Sequence, residues 1–246
     1  MNRPLLSKTP IIYIQFIKMK PKEEILRSTA WKQIFRNLND TGGILILGAD
    51  LAVAKEDDIW VPLTKIFAKK LLKDLKKEKI SYSQAEKDDL SYIALRWLKN
   101  VKNATENELQ HEIKECYEKY IEDVPSIYNA LAQLPFFLVI NTGMDDYMHQ
   151  AFQKAGKKSQ LRHFNYQRNQ SSLVSEMSIE APIVYNLFGY FNEPESMVIT
   201  KENQVDFVNG ILKNVSTLPK TLLKHFDEDK TYLFLGFELN IWHLTL

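Results

Sequence analysis

The chain has 246 residues and nearly balanced charge, with 32 basic and 31 acidic residues, so bulk charge gives no case for a nucleic-acid or anionic-membrane partner. Hydrophobic residues make up 45% and charged residues 26%, and a chain of this length and composition suits one large α/β domain, with or without an inserted subdomain. The single cysteine, Cys116, excludes an internal disulfide and favours a reducing, cytoplasmic location.

The first part of the chain predicts two strands separated by a helix. An apolar, β-branched run at 10–17 predicts a strand at a sheet edge, and it is too short and too interrupted to cross a membrane. Residues 21–39 begin with a proline suited to a first turn and then repeat apolar residues at helical spacing, which predicts a helix. After a turn at 40–43, residues 44–47 form a short apolar run that predicts a buried strand ending at Gly48.

Residues 60–131 predict a helical layer inserted between two strands. Apolar residues recur at helical spacing over 60–79, 83–99 and 106–131, and Pro125 interrupts the last of these helices. One face of the first helix carries seven lysines. We interpret this face as solvated because acidic residues lie nearby, and a phosphate or nucleic-acid patch is the alternative.

An apolar run at 136–141 is followed by Gly143 and then by Asp145 and Asp146. A nearly continuous run of this kind is typical of a strand buried on both faces of a parallel sheet. The two acids suit the first turn of a helix extending to about residue 155, because negative charge complements the helix dipole there.

Three further strands and two helices complete the predicted elements. Residues 161–164 and 182–187 predict strands, and 200–211 predicts a helix with Thr200 as its N-cap. A short helix after Pro219 then precedes a buried strand at 232–235.

Four of the predicted strands end in glycine: Gly48, Gly143, Gly189 and Gly236. Because helices separate these strands, the pattern predicts an α/β fold, a doubly wound (Rossmann-like) parallel sheet with an inserted helical layer, in a single domain over 1–246. Ligands of such sheets bind outside the carboxyl ends of the strands, so we expect the site at these tips. The alternative is that each glycine only closes a turn.

His111, Glu112, Glu115 and Cys116 lie together on one predicted helix and raise the alternative of a metal site. Their spacing matches no known metal-site pattern, so we predict no metal site.

Short motifs occur at the strand ends in a particular order. They read LGADLA at 47–52, IWVPL at 59–63, LPFFLVINTGMD at 134–145, LFG at 187–189, PESMVIT at 194–200 and FLGFE at 234–238. In this order they resemble the sirtuin-like (Sir2-like) domains of bacterial anti-phage defence proteins, in which the corresponding motifs include GAG-x-S, LPF-x-x-I-x-TTNYD and His-Gly. The resemblance covers roughly residues 40–246, apart from the helical insert.

The resemblance implies an NAD hydrolase that depletes NAD during phage infection. In that family an asparagine of TTNYD orients the ribose and a water, and the histidine of His-Gly acts as general base. The glycines and serine of the first loop let backbone amides approach the phosphates. By this resemblance the candidate cofactor-binding residues for NAD or a related nucleotide are Gly48, Ala49, Thr142, Gly143, Gly189 and Gly236.

The chain departs from the family at the residues that carry this chemistry. Gly143 stands at the asparagine, Phe188 at the histidine, and Asp50 and Ala52 at the second glycine and the serine of the first loop. A carboxylate repels a pyrophosphate, a phenylalanine has no proton for base chemistry, and loss of one such group costs ~10²–10⁴-fold in rate. We expect Phe188 to fill the former pocket, whereas Asp145 is retained from the TTNYD motif.

Three hypotheses follow from the motifs and their departures. The first is a catalytically degenerate scaffold, sensing or oligomerisation module of a larger bacterial immune protein. The second is an active NAD glycohydrolase with a displaced site that uses Asn141, Asp145 and His149, with His163 as a further base. The third is a nucleotide-binding module that does not cleave its ligand.

The partners expected from the same reasoning are other immune-protein domains, by fusion or association, and further copies of this chain. The apolar residues at 240–246 suit a piece of a longer protein. Glu238 stands where the family has a serine and is a further, weaker candidate for the site.

Overall fold

A computed structural model describes residues 11–13, 29–168, 170–171, 176–213, 219–227 and 230–237. The strands are β1 (Ile11–Tyr13), β2 (Gly43–Leu47), β3 (Val53–Glu56), β4 (Ile59–Pro62), β5 (Phe136–Asn141), β6 (Gln160–Asn165), β7 (Gln170–Ser171), β8 (Ile183–Asn186) and β9 (Thr231–Leu235). The helices are α1 (Thr29–Thr41), α2 (Leu63–Lys77), α3 (Leu90–Asn100), α4 (Glu106–Tyr120), α5 (Ser126–Leu131), α6 (Tyr147–Lys154), α7 (Lys201–Lys213) and α8 (Lys220–Lys224).

The central sheet has the strand order β1–β9–β2–β5–β8–β6–β7 in the described part of the chain. All of its neighbouring strands pair in parallel except β7, which pairs antiparallel with β6. The order is not the order of the sequence, because β9 returns to lie beside β2 on the side opposite β5. The predicted α/β fold with a Rossmann-like parallel sheet is therefore confirmed.

The sheet separates two apolar layers. Side chains such as Leu45 and Val139 pack with helices α2 to α6 on one face, whereas Ile44, Leu138 and Tyr185 pack with α7 and α8 on the other. Successive residues of a strand point to opposite faces, so both faces of β2 and β5 must be apolar to be covered in this way. All six residues of β5 are buried, as the continuous apolar run predicts.

The region predicted to start a helix at residue 60 begins instead with a β-hairpin. Strands β3 and β4 pair antiparallel around Asp57 and Asp58, which have φ angles of 48° and 65°. Two such residues form the tight turn that matches the twist of paired strands. The helix prediction was wrong for residues 60–62, because β-branched Ile59 and Val61 favour the strand and α2 starts only after Pro62.

Capping residues set the other helix bounds in this region. The Asp89 carboxylate accepts a hydrogen bond from the Tyr92 amide at 3.1 Å, so α3 begins at Leu90 rather than near residue 83. Thr105 and Glu108 form a capping box at the start of α4. Helix α4 ends at Tyr120, before the proline at 125, and the short helix α5 follows.

Several predictions near the two ends of the sequence fall partly or wholly on residues that the structure does not describe. Of the strand predicted at 10–17, Ile11–Tyr13 is described and lies at the sheet edge beside β9. The first helix is described from Thr29 onward. Residues 21–28, Glu238 and 240–246 lie outside the described residues.

Candidate functional site: the crevice at the strand tips

A cavity of about 540 Å³ lies at the carboxyl ends of the central strands, within the size range of small-molecule sites. The loops after β2, β5, β8 and β9 contribute Ala49, Thr142, Phe188, Gly236 and Phe237 to its lining. The first turns of α2, α3 and α7 form its other walls. The crevice is therefore at the edge of the sheet where the strand order predicts a ligand site.

The charged residues of the cavity wall are mostly acidic. Asp50, Asp88 and Asp89 line the cavity together with Lys65 and Lys201. The ammonium group of Lys201 lies 2.7 Å from an oxygen of Asp89, so this lysine is already paired. Within the described chain, Asp50 and Asp88 form no ion pair, and Asp50 Oδ1 accepts a hydrogen bond from the Thr64 hydroxyl at 3.0 Å.

Asp89 connects the inserted helices to α7. Burial favours a raised pKa for this carboxyl group, but hydrogen bonds from Lys201, from the Ser91 hydroxyl and from the Tyr92 amide outweigh burial and lower its pKa. The ion pair with Lys201 thus joins the start of α3 to the start of α7 and fixes one wall of the cavity.

A buried polar network lies at the tips of β5 and β8. Asn141 donates from its side-chain amide to Asp145 Oδ2 at 3.5 Å and to Asn186 Oδ1 at 3.2 Å. Asn186 donates to the Asp145 carbonyl at 2.7 Å, and Asn141 Oδ1 accepts from the Gly143 amide at 2.9 Å. These interactions hold the turn that follows β5.

Asp145 belongs to this network and not to the cavity wall. Its carboxyl group is 1% exposed and accepts a hydrogen bond from the Tyr147 amide at 3.1 Å. Burial raises its pKa to about 6, although the bonds from Tyr147 and Asn141 act in the opposite direction. Asp145 and Asp146 precede α6, which starts at Tyr147, so the prediction that they lie within its first turn was wrong by one or two residues.

Of the residues in the displaced-site hypothesis, Asn141 and Asp145 are bonded to each other, whereas His149 is bonded elsewhere. Among the described residues that line the cavity, Asn141, Asp145 and His149 do not occur. His149 lies on α6 with Nδ1 2.8 Å from the Ser159 hydroxyl, and burial lowers its pKa. His163 lies on β6 with Nε2 3.0 Å from a Glu193 carboxylate oxygen.

The glycines at the strand tips are required by contacts within the protein. A Cβ atom at Gly48 would lie 1.9 Å from the carbonyl oxygen of Gly236, whose own φ of +77° favours glycine. At Gly143 it would lie 2.3 Å from an oxygen of Asp145, and at Gly189 2.2 Å from the Ser196 carbonyl oxygen. These contacts favour the interpretation in which the glycines close turns.

Phe188 forms part of the cavity wall and does not fill the space. Its half-buried ring packs against the ring of Phe207, with centroids 5.0 Å apart and nearly perpendicular planes. The expectation that Phe188 fills the former pocket was wrong, because about 540 Å³ remains open beside it.

The acidic and histidine residues on α4 form ion pairs instead of a cluster for a metal. Lys70 lies 2.6 Å from Glu112 and 3.8 Å from Glu115, and His111 lies 3.2 Å from Glu115. Cys116 is buried. Over the described ranges, no group of three or more His, Cys, Asp or Glu side chains could hold a metal ion.

Among the described helices, none is long and apolar enough to span a membrane.

Comparison with known families bears on this edge of the sheet. Residues 138–245 match the family model described as a SIR2-like domain. The SIR2-like match starts within β5 and includes β8, the tip at Phe188, and β9, but it does not reach the loop after β2 or the inserted helices. No curated protein matches the chain.

NAD is the cofactor that a SIR2-like domain implies, and the residues present do not fit its pyrophosphate. Asp50 lines the cavity and brings a carboxylate to the loop after β2. Three carboxylates against two lysines repel a diphosphate, and no histidine occurs among the described lining residues.

The sequence reasoning missed Asn186 and the acidic wall. Asn186 is a polar residue at the end of an otherwise apolar strand. Its position at a strand tip could have indicated that it belongs to the polar network there. Asp88 and Asp89 come from the inserted layer, and their place beside the strand tips follows only from tertiary packing.

Proposed function

We propose that the protein is a sirtuin-like module of a bacterial immune protein that does not hydrolyse NAD and acts in scaffolding, sensing or oligomerisation. The observation that carries the proposal is the buried network of Asn141, Asp145 and Asn186. Its polar groups bond to one another and to the backbone of the turn after β5, and none of the three residues is among the described residues that line the crevice.

The chemistry of NAD cleavage supports the same proposal. A general base must lie within hydrogen-bond reach of the proton that it removes. Phe188 lines the crevice at the position of the family histidine and has no such group, and His149 and His163 are bonded elsewhere. Asp50 adds a negative charge where the phosphates of NAD would lie.

The proposed partners are other immune-protein domains and further copies of this chain. The proposed location is the cytoplasm. The hairpin of β3 and β4 supports it, because the side chains of Ile59 and Trp60 are 66% and 57% exposed. Exposed large apolar side chains of this kind are common at protein interfaces.

The test is nicotinamide release from NAD by the purified chain, with an active SIR2-like hydrolase as positive control. We expect no release above that of buffer. Release at a rate typical of enzymes would overturn the proposal. Its loss in an Asn141→Ala, Asp145→Asn, His149→Ala variant would then assign the activity to the displaced site.

A second candidate function is a module that binds a small molecule without cleaving it. The cavity of about 540 Å³ favours this candidate, because its lining combines apolar side chains with several polar groups, as small-molecule sites do.

A further inference from the structure

We propose that the crevice binds an organic cation of nucleoside size that carries no phosphate group. The inference rests on the proposed function, since it names the class of ligand that a non-hydrolysing sensing module would recognise. Three features of the cavity carry it: the sign of its charge, the aromatic rings in its wall and the rigidity of its acidic side.

The charge of the wall favours a cation. The Lys201–Asp89 pair, with its atoms 2.7 Å apart, is neutral as a unit. Asp50 and Asp88 then remain against Lys65, so two acidic residues face one basic residue among the described lining, a formal net charge of −1. A ligand with one positive charge compensates this field, whereas each added phosphate opposes it.

Aromatic rings in the wall distinguish an organic cation from a metal ion. Phe188 and Phe237 both line the cavity. Phe207 contacts Phe188 with ring centroids 5.0 Å apart, and Phe234 contacts Phe237 at 6.2 Å. The face of an aromatic ring attracts an organic cation, and rings combined with carboxylates form the sites that recognise such ligands.

The acidic side of the crevice is held in place before any ligand binds. Asp50 Oδ1 accepts the hydrogen bond from Thr64, and Asp89 is fixed by Lys201 and by the start of α3. Side chains that are already ordered lose little conformational entropy on binding, which increases affinity. The loop after β2 therefore presents a carboxylate in the place where SIR2-like domains present a phosphate-binding glycine.

Isothermal titration calorimetry with three ligands tests the proposal. Nicotinamide riboside is a cationic nucleoside, nicotinamide mononucleotide adds one phosphate to it, and adenosine is a neutral nucleoside. We expect the riboside to bind at least about tenfold more tightly than either of the others, a difference of about 1.4 kcal/mol. Equal or tighter binding of the mononucleotide, or no heat from the riboside at ~1 mM, would overturn the proposal.

Charge-neutralising variants locate the binding site. Asp50→Asn is expected to weaken riboside binding several-fold and to narrow the gap between the riboside and the mononucleotide. Asp88→Asn tests the same wall of the cavity. Asp88 is exposed, so we expect this substitution to leave the fold intact. The matched control is Asp58→Asn, which removes one negative charge from a side chain that is 92% exposed in the turn between β3 and β4.

Thermal unfolding of each variant shows whether it is folded before the titration is interpreted. If Asp50→Asn and Asp88→Asn both bind the riboside as the Asp58→Asn control does, the crevice is not the site. Nicotinamide released from the riboside would be detected separately by chromatography. Such release would contradict the proposed non-hydrolysing function but not the proposal that the crevice binds an organic cation. Absence of binding would contradict only the proposal about the crevice.

Discussion

The side-chain amide of Asn141 lies 3.2 Å from the side-chain oxygen of Asn186, and both residues are almost completely buried. The two residues are paired in the register of β5 and β8, so their side chains meet at the tips of neighbouring parallel strands. A buried polar group that is satisfied in this way stabilises a single geometry of the chain. At this edge of the sheet, the amide and carboxyl groups of Asn141, Asn186 and Asp145 stabilise the turn after β5.

Because Asn186 belongs to this buried network, we expect its truncation to lower the free energy of unfolding. Asn186→Ala removes the 2.7 Å bond to the Asp145 carbonyl and the 3.2 Å bond from the Asn141 amide, and leaves these buried groups only the longer bonds of 3.4–3.5 Å between Asn141 and Asp145. We expect the free energy of unfolding to fall by about 1–3 kcal/mol, measured by urea denaturation. The control is Asn192→Ala, in which an exposed asparagine that bonds to the Tyr190 hydroxyl is truncated. Equal losses in the two variants would show that the network does not stabilise the fold.

Asp145 predicts a characteristic dependence of stability on pH. Its pKa is raised by burial from 3.8 to about 6, so between these values the folded chain keeps a proton that the unfolded chain has lost. The contribution of Asp145 to the free energy of unfolding therefore decreases as pH rises through this range, by about 3 kcal/mol in total.

The measurement for Asp145 compares the chain with its Asp145→Asn variant across that range. An asparagine does not titrate, so the stability of the original chain relative to the variant should fall between about pH 4 and pH 6 and then level off. A difference that stays constant with pH would mean that Asp145 has an ordinary pKa in the folded state.

Gly48, at the tip of β2, and Gly156, in the loop between α6 and β6, predict different costs in free energy of unfolding for adding a methyl group. Gly48 has an ordinary φ of −82°, but a Cβ there would lie 1.9 Å from the Gly236 carbonyl oxygen. Gly156 has a φ of +81° and no atom within 4 Å of the added Cβ, so Gly156→Ala costs only backbone strain of about 1–2 kcal/mol.

We expect Gly48→Ala to be the more destabilising of the two, because the loops after β2 and β9 must separate to accept the methyl group. Overpacking of this kind costs typically about 1–3 kcal/mol and sometimes more. Thermal unfolding of both variants checks the order. A smaller loss at Gly48 than at Gly156 would contradict the close approach of the two loops.

Much of the fold is predictable from local patterns. The continuous apolar runs at β2, β5, β8 and β9 predict strands buried on both faces, and the structure places these strands side by side. The hairpin of β3 and β4 was missed because its turn, Asp57–Asp58, lacks the glycine that usually marks a two-residue turn. Pro62 ends β4 and directly precedes α2.

The candidate site was predictable in its location but not in its chemistry. The strand tips indicate the correct edge of the sheet, and Asp50 and Phe188 were singled out as departures that prove to line the crevice. The sequence does not show that Asn141 and Asp145 belong to a buried network, because this depends on their bonds to Asn186, which is 45 residues from Asn141. The acidic wall likewise depends on how the inserted helices pack against the strand tips.

The most direct test of the account is the rate of nicotinamide release from NAD at high concentration of the purified chain. An ordinary enzyme turns over about 10 times per second, so even a very weak hydrolase would give a clear signal over hours. The account predicts no release above the rate in buffer. Sustained release that follows the concentration of the chain would contradict it, because another group, such as a carboxylate of the crevice wall, would then act as the general base.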